Sequence, residues 1–151
     1  MDQASIIIKH GGTIYDLTAL EHCYAPPFSS AKDPLAIAGY TAENIITGKM
    51  KTISWRELIE ADLSKTLLLD IRTSYEYRQG SLKGAVNIPL DELRAHLSEI
   101  PKDKDIVVFC VIGQRGYVAQ RILNGAGFSN VRNLSGGYET YLLATQRTDV
   151  I

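Results

Sequence analysis

Short apolar runs alternate with helix-like patterns in the C-terminal two thirds of this chain. Most of the runs are rich in Leu, Ile and Val and are typical of buried strands. The predicted strands cover residues 52–53, 67–71, 85–88, 106–109 and 131–134. The predicted helices cover residues 54 onward, 75–79, 91–100, 116–124 and 138 onward. This alternation predicts an α/β fold in which a central parallel sheet is flanked by helices.

Two chemically interesting residues stand where predicted strands end. Asp70 closes one strand and Cys110 directly follows another. In parallel α/β sheets, functional residues lie beyond the carboxyl ends of the strands. We therefore expect Asp70 and Cys110 at the same edge of the sheet.

The first 50 residues follow a different pattern. Thr13 and Asp16 have the spacing of a capping box and predict a short helix. The stretch 24–30 contains two adjacent prolines and cannot be helical. Asp33 as an N-cap and Gly48 just past the C-terminus predict a second helix between them.

This second helix carries a narrow apolar stripe. The stripe consists of Leu35, Ala38, Ala42 and Ile45. Gly39 and the alanines offer little surface to bury, so the helix is expected to pack closely on another element. The stripe is expected to be partly exposed, to dock on the C-terminal part of the chain or to pair between chains. We therefore divide the chain into a short helical segment, residues 1–50, and an α/β domain, residues 51–151.

Composition excludes several classes of function. The chain has 151 residues, of which 45% are hydrophobic and 22% charged, with a formal net charge of −1. This charge does not favour nucleic acid or an anionic membrane as a partner. No apolar run approaches the ~20 residues that span a bilayer, and the N-terminus does not resemble a secretory signal.

Cysteine and histidine usage adds two expectations. The two cysteines, Cys23 and Cys110, are far apart, as is usual in a reducing compartment, and we expect a cytoplasmic protein. The three histidines are also widely spaced, so we expect no zinc site.

The segment that begins at Cys110 has the composition of an anion-binding loop. It reads Cys110-Val111-Ile112-Gly113-Gln114-Arg115-Gly116 and joins a buried strand to a helix. Backbone N–H groups of such a loop, the start of the helix and the Arg115 guanidinium all stabilise a thiolate, so we expect the Cys110 thiolate to be stabilised and exposed. Gly113 is expected to adopt a backbone conformation that other residues avoid. The alternative is a buried structural cysteine that merely ends a strand.

The spacing within this loop bears on the substrate. Cys110 and Arg115 form a Cys-x4-Arg pattern, one residue shorter than the Cys-x5-Arg pattern of protein tyrosine phosphatases. A shorter loop suits a single sulfur atom on the cysteine better than a phosphate.

Four stretches together resemble the rhodanese family over about residues 51–144. They are the loop pattern Cys-x-x-Gly-x-Arg, Leu69-Asp70-Ile71-Arg72, Gly84-Ala85-Val86-Asn87-Ile88-Pro89, and Asn133-Leu134-Ser135-Gly136-Gly137-Tyr138. The resemblance implies a rhodanese fold, a sulfurtransferase in which Cys110 carries sulfur as a persulfide, and thiosulfate, persulfide or polysulfide as substrates. It implies that Arg115 and the loop residues bind the substrate.

The chain departs from this family at two positions. Ser81 stands where the family usually has His, and Gly116 stands where many members have Ser. Both departures bear on the sulfur donor and acceptor more than on the fold. Asp70 and Arg72 are candidate supporting residues, although pairing with each other or with Glu76 is the interpretation we favour.

The N-terminal segment resembles a second family over about residues 4–48. The resemblance rests on Asp16-Leu17-Thr18, residues 24–34 and Ala38-Gly39. It is similar to the end of the dimerisation domain of the flavin disulfide reductases, which include coenzyme A-disulfide reductases, NADH oxidases and NADH-dependent persulfide reductases. In one branch of that group a rhodanese domain follows directly.

This second resemblance has consequences for cofactors and partners. FAD, NAD(P)H and coenzyme A are implied only for a full-length relative, and we expect no cofactor in this chain. Tyr24 is implied to lie near a flavin-linked cysteine of a partner subunit, although a packing role at the dimer interface is equally consistent. Cys23 is expected to be inert. We expect the chain to self-associate as a homodimer rather than remain monomeric.

Two functions from different classes therefore remain. The first is a sulfurtransferase module, and the second is a non-catalytic docking domain with the rhodanese fold. Loss of Cys110 or Arg115 would favour docking, and both residues are present.

Overall fold

The chain folds as two compact units, Met1–Lys49 and Met50–Ile151. The structure is a computed structural model that describes residues 2–21, 27–28 and 33–146. Cys23 and Tyr24, on which the sequence raised two expectations, lie outside the described residues.

The described part of the first unit is helical. Helix α1 covers Asp2–Lys9, α2 covers Ile14–Thr18 and α3 covers Pro34–Ile46. The capping box of α2 is present as predicted, because Asp16 Oδ2 accepts hydrogen bonds from Thr13 N at 2.6 Å and Thr13 Oγ1 at 2.9 Å. Helix α1 was not predicted, because its short isoleucine run did not suffice to identify a helix.

Helix α3 begins and ends where its capping residues predicted. Asp33 Oδ1 accepts a hydrogen bond from Leu35 N at 2.7 Å, and Gly48 follows the helix with φ +71°. Gly39 allows α2 to approach, since a Cβ built at Gly39 would lie 2.8 Å from Leu17 Cβ. The predicted close packing is confirmed.

The predicted stripe is not the buried face of α3. Ala36 and Gly39 are buried, whereas Ala38 is exposed and Ile45 is 43% exposed. The reason is that α2 packs where glycine permits the closest approach, and this position lies to one side of the stripe.

The second unit is built on five parallel strands. They are β1 (Thr52–Ile53), β2 (Thr66–Asp70), β3 (Val86–Asn87), β4 (Asp105–Phe109) and β5 (Val131–Leu134), in the spatial order β1-β5-β4-β2-β3. The helices are α4 (Trp55–Glu60), α5 (Ser74–Arg78), α6 (Gln114–Gly125) and α7 (Gly137–Gln146), with a 3-10 helix at Leu97–Glu99. The predicted α/β class and parallel sheet are confirmed.

Each face of the sheet carries its own apolar core. Along β4 the side chains alternate, so Ile106, Val108 and the following Cys110 belong to one cluster. Val107 and Phe109 belong to the other. Because neighbouring strands share this alternation, the face of the sheet on which a side chain lies decides which residues can contact Cys110.

The predicted helix over residues 91–100 is wrong. Several backbone N–H groups there donate to the carbonyl three residues earlier, as in Ala95 N to Glu92 O at 2.9 Å. Such bonds make tight turns and one 3-10 helix. The turns bury Leu93 and Ile100 in the apolar cluster that contains Cys110.

Among the described residues, no helix combines the length and the apolar character that crossing a membrane requires.

Candidate functional site

Cys110 lies at the carboxyl end of the central strand, beneath the loop that leads into α6. Its Sγ accepts a hydrogen bond from Gly113 N at 3.1 Å. The residue is 1% exposed and packs against the cluster that includes Leu69 and Val108. The sequence led us to expect an exposed thiol, and this is wrong, because the loop backbone folds over the side chain.

Gly113 turns the chain from the loop into the helix. It has φ +118° and caps α6, which begins at Gln114, two residues earlier than predicted. The expectation of an unusual backbone conformation at Gly113 is confirmed. As a result Gln114 and Arg115 lie in the first helical turn, where backbone N–H groups have no partner within the helix. The positive end of the helix dipole therefore faces the loop.

The start of the loop is fixed from the start of α7. Tyr138 N donates to Cys110 O at 2.8 Å, and Glu139 N donates to Val111 O at 3.1 Å. This approach needs glycine, since Gly137 has φ +63° and a Cβ there would lie 2.6 Å from Cys110 O. The Gly-Gly motif therefore holds the reactive loop in place.

The end of the loop is fixed from β5 by Asn133. Asn133 Nδ2 donates to Gly113 O at 3.0 Å, and Tyr117 N donates to the same oxygen at 2.9 Å. Asn133 is 1% exposed. Gly113 is thus held at its carbonyl while its N–H donates to the sulfur.

Asn133 also explains why position 116 is a glycine. A Cβ built at Gly116 would overlap Asn133 Oδ1 and lie 2.9 Å from Asn133 Cγ. A serine, common at this position in the rhodanese family, would have no room here. This departure is therefore a packing adjustment to Asn133.

Arg115 pairs with Glu76 at the first turn of α5. Arg115 Nη1 donates to Glu76 Oε2 at 2.8 Å, and Arg115 Nη2 donates to Glu76 Oε1 at 2.6 Å. The Arg115 side chain is 35% exposed and that of Glu76 is 27% exposed. The pair therefore lies at the surface of the loop.

This pairing shifts both groups toward their charged forms. Hydrogen bonds from Arg115, and then from Thr73, lower the pKa of Glu76 to about 2, although burial opposes the shift. The Glu76 carboxylate raises the pKa of Arg115, and the nearby charge of Cys110 adds a smaller effect in the same direction. Arg115 is therefore a cation paired with a carboxylate.

Asp70 and Arg72 form a buried ion pair on the opposite face of the sheet. Arg72 Nη2 donates to Asp70 Oδ2 at 2.6 Å and to Gly80 O at 2.7 Å. Ser81 Oγ donates to Asp70 Oδ2 at 2.6 Å, and the Arg72 guanidinium lies 4.3 Å from the centre of the Tyr138 ring. The favoured pairing of Asp70 with Arg72 is observed, whereas Glu76 pairs with Arg115 instead.

This network supports the site without contacting the sulfur. Asp70 stands directly beside Phe109 in the register of β2 and β4, so both candidate residues reach the same sheet edge as predicted. Their side chains, however, lie on opposite faces. Ser81, the second departure from the family pattern, belongs to this buried network.

The remaining loop residues differ in their exposure to solvent. Ile112 is 63% exposed, Gln114 is exposed and Val111 is half-buried. The exposed surface of the loop is therefore apolar at Ile112 and charged at Arg115.

Two residues of the site were missed from the sequence. Glu76 was considered only as a partner of Asp70 and Arg72, and Asn133 only as part of a motif. The signal for Glu76 was its place in the capping box with Thr73, whose N donates to Glu76 Oε2 at 2.9 Å. No local signal marked Asn133, because its partners lie on another element.

Within the described ranges, no three His, Cys, Asp or Glu side chains come together in a way that would hold a metal ion.

Comparison with known proteins defines the class to which this fold and site belong. The sequence profile of the Rhodanese-like domain family matches residues 54–144. A sulfurtransferase of Allochromatium vinosum is 43% identical over 77 residues, which are 51% of this chain and 72% of that protein. The second unit is thus a rhodanese-type sulfurtransferase domain, and the chain belongs to the rhodanese-like family.

Two solved structures extend the similarity to the first unit. Bacillus anthracis CoADR-RHD is 45% identical, with a TM-score of 0.91, and covers 97% of this chain. An NAD-dependent persulfide reductase from A. fulgidus is 39% identical, with a TM-score of 0.77, and covers 91%. This chain spans 26% and 24% of those two chains, respectively. The suspected relationship to rhodanese-containing reductases is confirmed.

Proposed function

We propose that Cys110 carries sulfane sulfur as a persulfide. The observation that carries this proposal is the hydrogen bond from Gly113 N to Cys110 Sγ, at a loop held from both sides. A backbone donor of this kind solvates a thiolate and, after reaction, an added sulfur anion. Arg115 supplies a cation in the first turn of α6, two residues after Gly113.

The reaction with thiosulfate proceeds in two balanced steps. The Cys110 thiolate attacks the outer sulfur of thiosulfate, a new S–S bond forms, and the bond to the sulfonate sulfur breaks. Sulfite leaves with the electron pair of that bond. An acceptor thiolate or cyanide then attacks the terminal sulfur and removes it, which returns Cys110 to its thiolate form.

The buried position of Cys110 favours a small donor atom. Cys110 is 1% exposed, which favours a donor that presents a small terminal sulfur atom over a bulky group. A phosphate is a larger anion that needs several hydrogen-bond donors around it. The Cys-x4-Arg loop of this chain is one residue shorter than the Cys-x5-Arg loop of protein tyrosine phosphatases. The geometry thus favours sulfur transfer over phosphate transfer.

In a longer protein this domain would act as one module of a reductase. The two similar structures that cover both units are a CoADR-RHD and an NAD-dependent persulfide reductase. We therefore assign residues 1–50 to the end of a dimerisation domain and residues 51–151 to a sulfur carrier. FAD, NAD(P)H and coenzyme A would serve the longer protein, and Tyr24 would lie near the flavin-linked cysteine of a partner subunit.

The direct test is mass spectrometry of the purified chain after incubation with thiosulfate or polysulfide. We expect one added sulfur atom, located on the peptide that contains Cys110 and removed by cyanide as thiocyanate. Cys110→Ser should lose both the adduct and thiocyanate production.

Cys23→Ser provides the matched control, because it removes the other thiol and should keep both activities. Persulfide on Cys23 alone, or full turnover of the Cys110→Ser protein, would overturn the assignment. A wild-type protein that forms no persulfide with either donor would instead support the docking function.

A further inference from the structure

We infer that Glu76 selects sulfur donors by their charge, since it neutralises Arg115 beside the Cys110 loop and so disfavours donors with two negative charges. This inference rests on the proposed sulfur transfer at Cys110. It assigns a specificity role to a residue that does not contact the sulfur.

The geometry leaves Arg115 committed to Glu76. Both terminal nitrogens of the guanidinium donate to the two carboxylate oxygens, at 2.8 and 2.6 Å. This two-point arrangement is the strongest pairing that the two groups can form. A donor anion that seeks Arg115 must therefore compete with a carboxylate already in place.

Glu76 is itself held in position by the start of α5. Its Oε2 also accepts hydrogen bonds from Thr73 N at 2.9 Å and Thr73 Oγ1 at 2.8 Å. The carboxylate is therefore anchored by a helix cap and cannot swing away without losing the cap. With a pKa of about 2, it is ionised throughout the physiological range.

The charges of the three groups decide the effect. With Cys110 as thiolate, Arg115 as cation and Glu76 as carboxylate, the group carries one net negative charge. Without Glu76 the group would be neutral, and Arg115 would be free to bind an anion. The extra negative charge of Glu76 repels a dianionic sulfur donor more strongly than a monoanionic one. Because the pair is only partly exposed, solvent screens this difference incompletely.

Two donors with the same reacting bond isolate this charge effect. Thiosulfate is a dianion, and methanethiosulfonate is a monoanion with the same sulfane sulfur bonded to a sulfonyl sulfur. In both, the Cys110 thiolate attacks the outer sulfur, and sulfite or methanesulfinate leaves with the electron pair. The ratio of kcat/KM for the two donors is the quantity to measure, with cyanide as acceptor.

Glu76→Gln should change this ratio in favour of thiosulfate by about tenfold, through a lower KM for thiosulfate. The change should shrink as ionic strength rises. Glu76→Asp retains the charge and should restore the wild-type ratio in part. A merely structural role for Glu76 would lower kcat for both donors and leave the ratio and its salt dependence unchanged.

Glu57→Gln is the matched control. Glu57 forms the same kind of capping box, with Ser54 N donating to its Oε2 at 2.7 Å, at the start of α4. Its loss removes one charge and one helix cap from the same domain, and the donor ratio should stay at the wild-type value. Thermal unfolding of each variant checks that the domain remains folded.

The outcomes separate the two proposals. An unchanged ratio in Glu76→Gln, in a folded protein whose Cys110→Ser variant is inactive, overturns the role of Glu76 and leaves sulfur transfer standing. An equal change in Glu57→Gln also overturns it, because the effect would then be one of general charge. Turnover by the Cys110→Ser protein overturns the proposed function itself.

Discussion

Gly116→Ala tests whether packing against Asn133 dominates at the start of α6. Gly116 lies in the first turn of a helix, where alanine ordinarily stabilises by about 0.5–1 kcal/mol because it has less backbone freedom to lose. Here, however, the added Cβ would overlap Asn133 Oδ1 and approach Asn133 Cγ to 2.9 Å. The two effects have opposite signs.

The structure indicates that the clash wins. To make room, Asn133 must withdraw, and its 3.0 Å hydrogen bond to Gly113 O is then lost in a buried site. Overpacking and a lost buried hydrogen bond each cost about 1–3 kcal/mol. After the helix gain is subtracted from the two costs together, we expect a net loss of about 1–5 kcal/mol in the free energy of unfolding.

Urea unfolding followed by fluorescence measures this change. Trp55, the single tryptophan, lies in α4 of the second unit and reports on that unit. Gly125→Ala is the control at the other end of α6, where a Cβ would meet nothing within 4 Å, and it should be neutral or stabilising. Asn133→Ala combined with Gly116→Ala should be no less stable than Asn133→Ala alone, since the clash partner is gone.

The reasoning fails if Gly116→Ala is as stable as the wild type or more stable. It also fails if the double variant shows the sum of the two single losses, because independent sites add and contacting sites do not.

The other predictions concern the ion pairs, the cofactor and the first unit. Arg72→Met should lower the free energy of unfolding by about 3–5 kcal/mol, because it leaves the buried Asp70 carboxylate without its cation. Ser81→Ala removes one hydrogen bond to Asp70 and should cost less, about 1–2 kcal/mol. Denaturant unfolding measures both losses. Because the folded-state pKa of Glu76 is about 2 against a usual 4.5, its pairing stabilises fully above about pH 4.5 and is lost as pH falls toward 2. The loss of unfolding free energy between pH 7 and pH 3, measured with urea, should therefore be smaller in Glu76→Gln than in the wild type. We expect a difference of about 1–2 kcal/mol, a value reduced for solvent screening, and the same loss in both proteins would contradict this. The purified chain should show no flavin absorbance and no NADH-dependent activity, because no Gly-x-Gly-x-x-Gly follows a strand, and a yellow preparation would refute this. Sedimentation should show self-association that grows with concentration, since Ile8 and Ile46 of the first unit are exposed, and a strict monomer would contradict it.

The local features of this protein can be read from the linear order of its residues. Alternation of apolar runs and helical patterns predicted the α/β class, and the capping residues Thr13 and Asp33 predicted where two helices begin. These features depend on neighbours within a few residues, so a linear pattern is enough to reveal them. The loop from Cys110 to Gly116 could be located for the same reason.

The segment over residues 91–100 shows where local patterns fail. Leu93, Leu97 and Ile100 have helical spacing, yet the backbone forms successive tight turns. Burial of Leu93 against the sheet decided this conformation, and that burial depends on packing rather than on spacing. Helix propensity is weak enough for tertiary contacts to override it.

The partners that surround Cys110, in contrast, depend on how the strands and helices pack together. Glu76 and Arg115 are 39 residues apart, and Asn133 is 20 residues from Gly113. They meet because β4 lies between β2 and β5, so the elements that follow β2 and the end of β5 flank the loop from two sides. The same order places Asp70 at the correct sheet edge but on the opposite face. Strand order and the face of each side chain arise from packing the whole sheet, and no stretch of sequence encodes them alone.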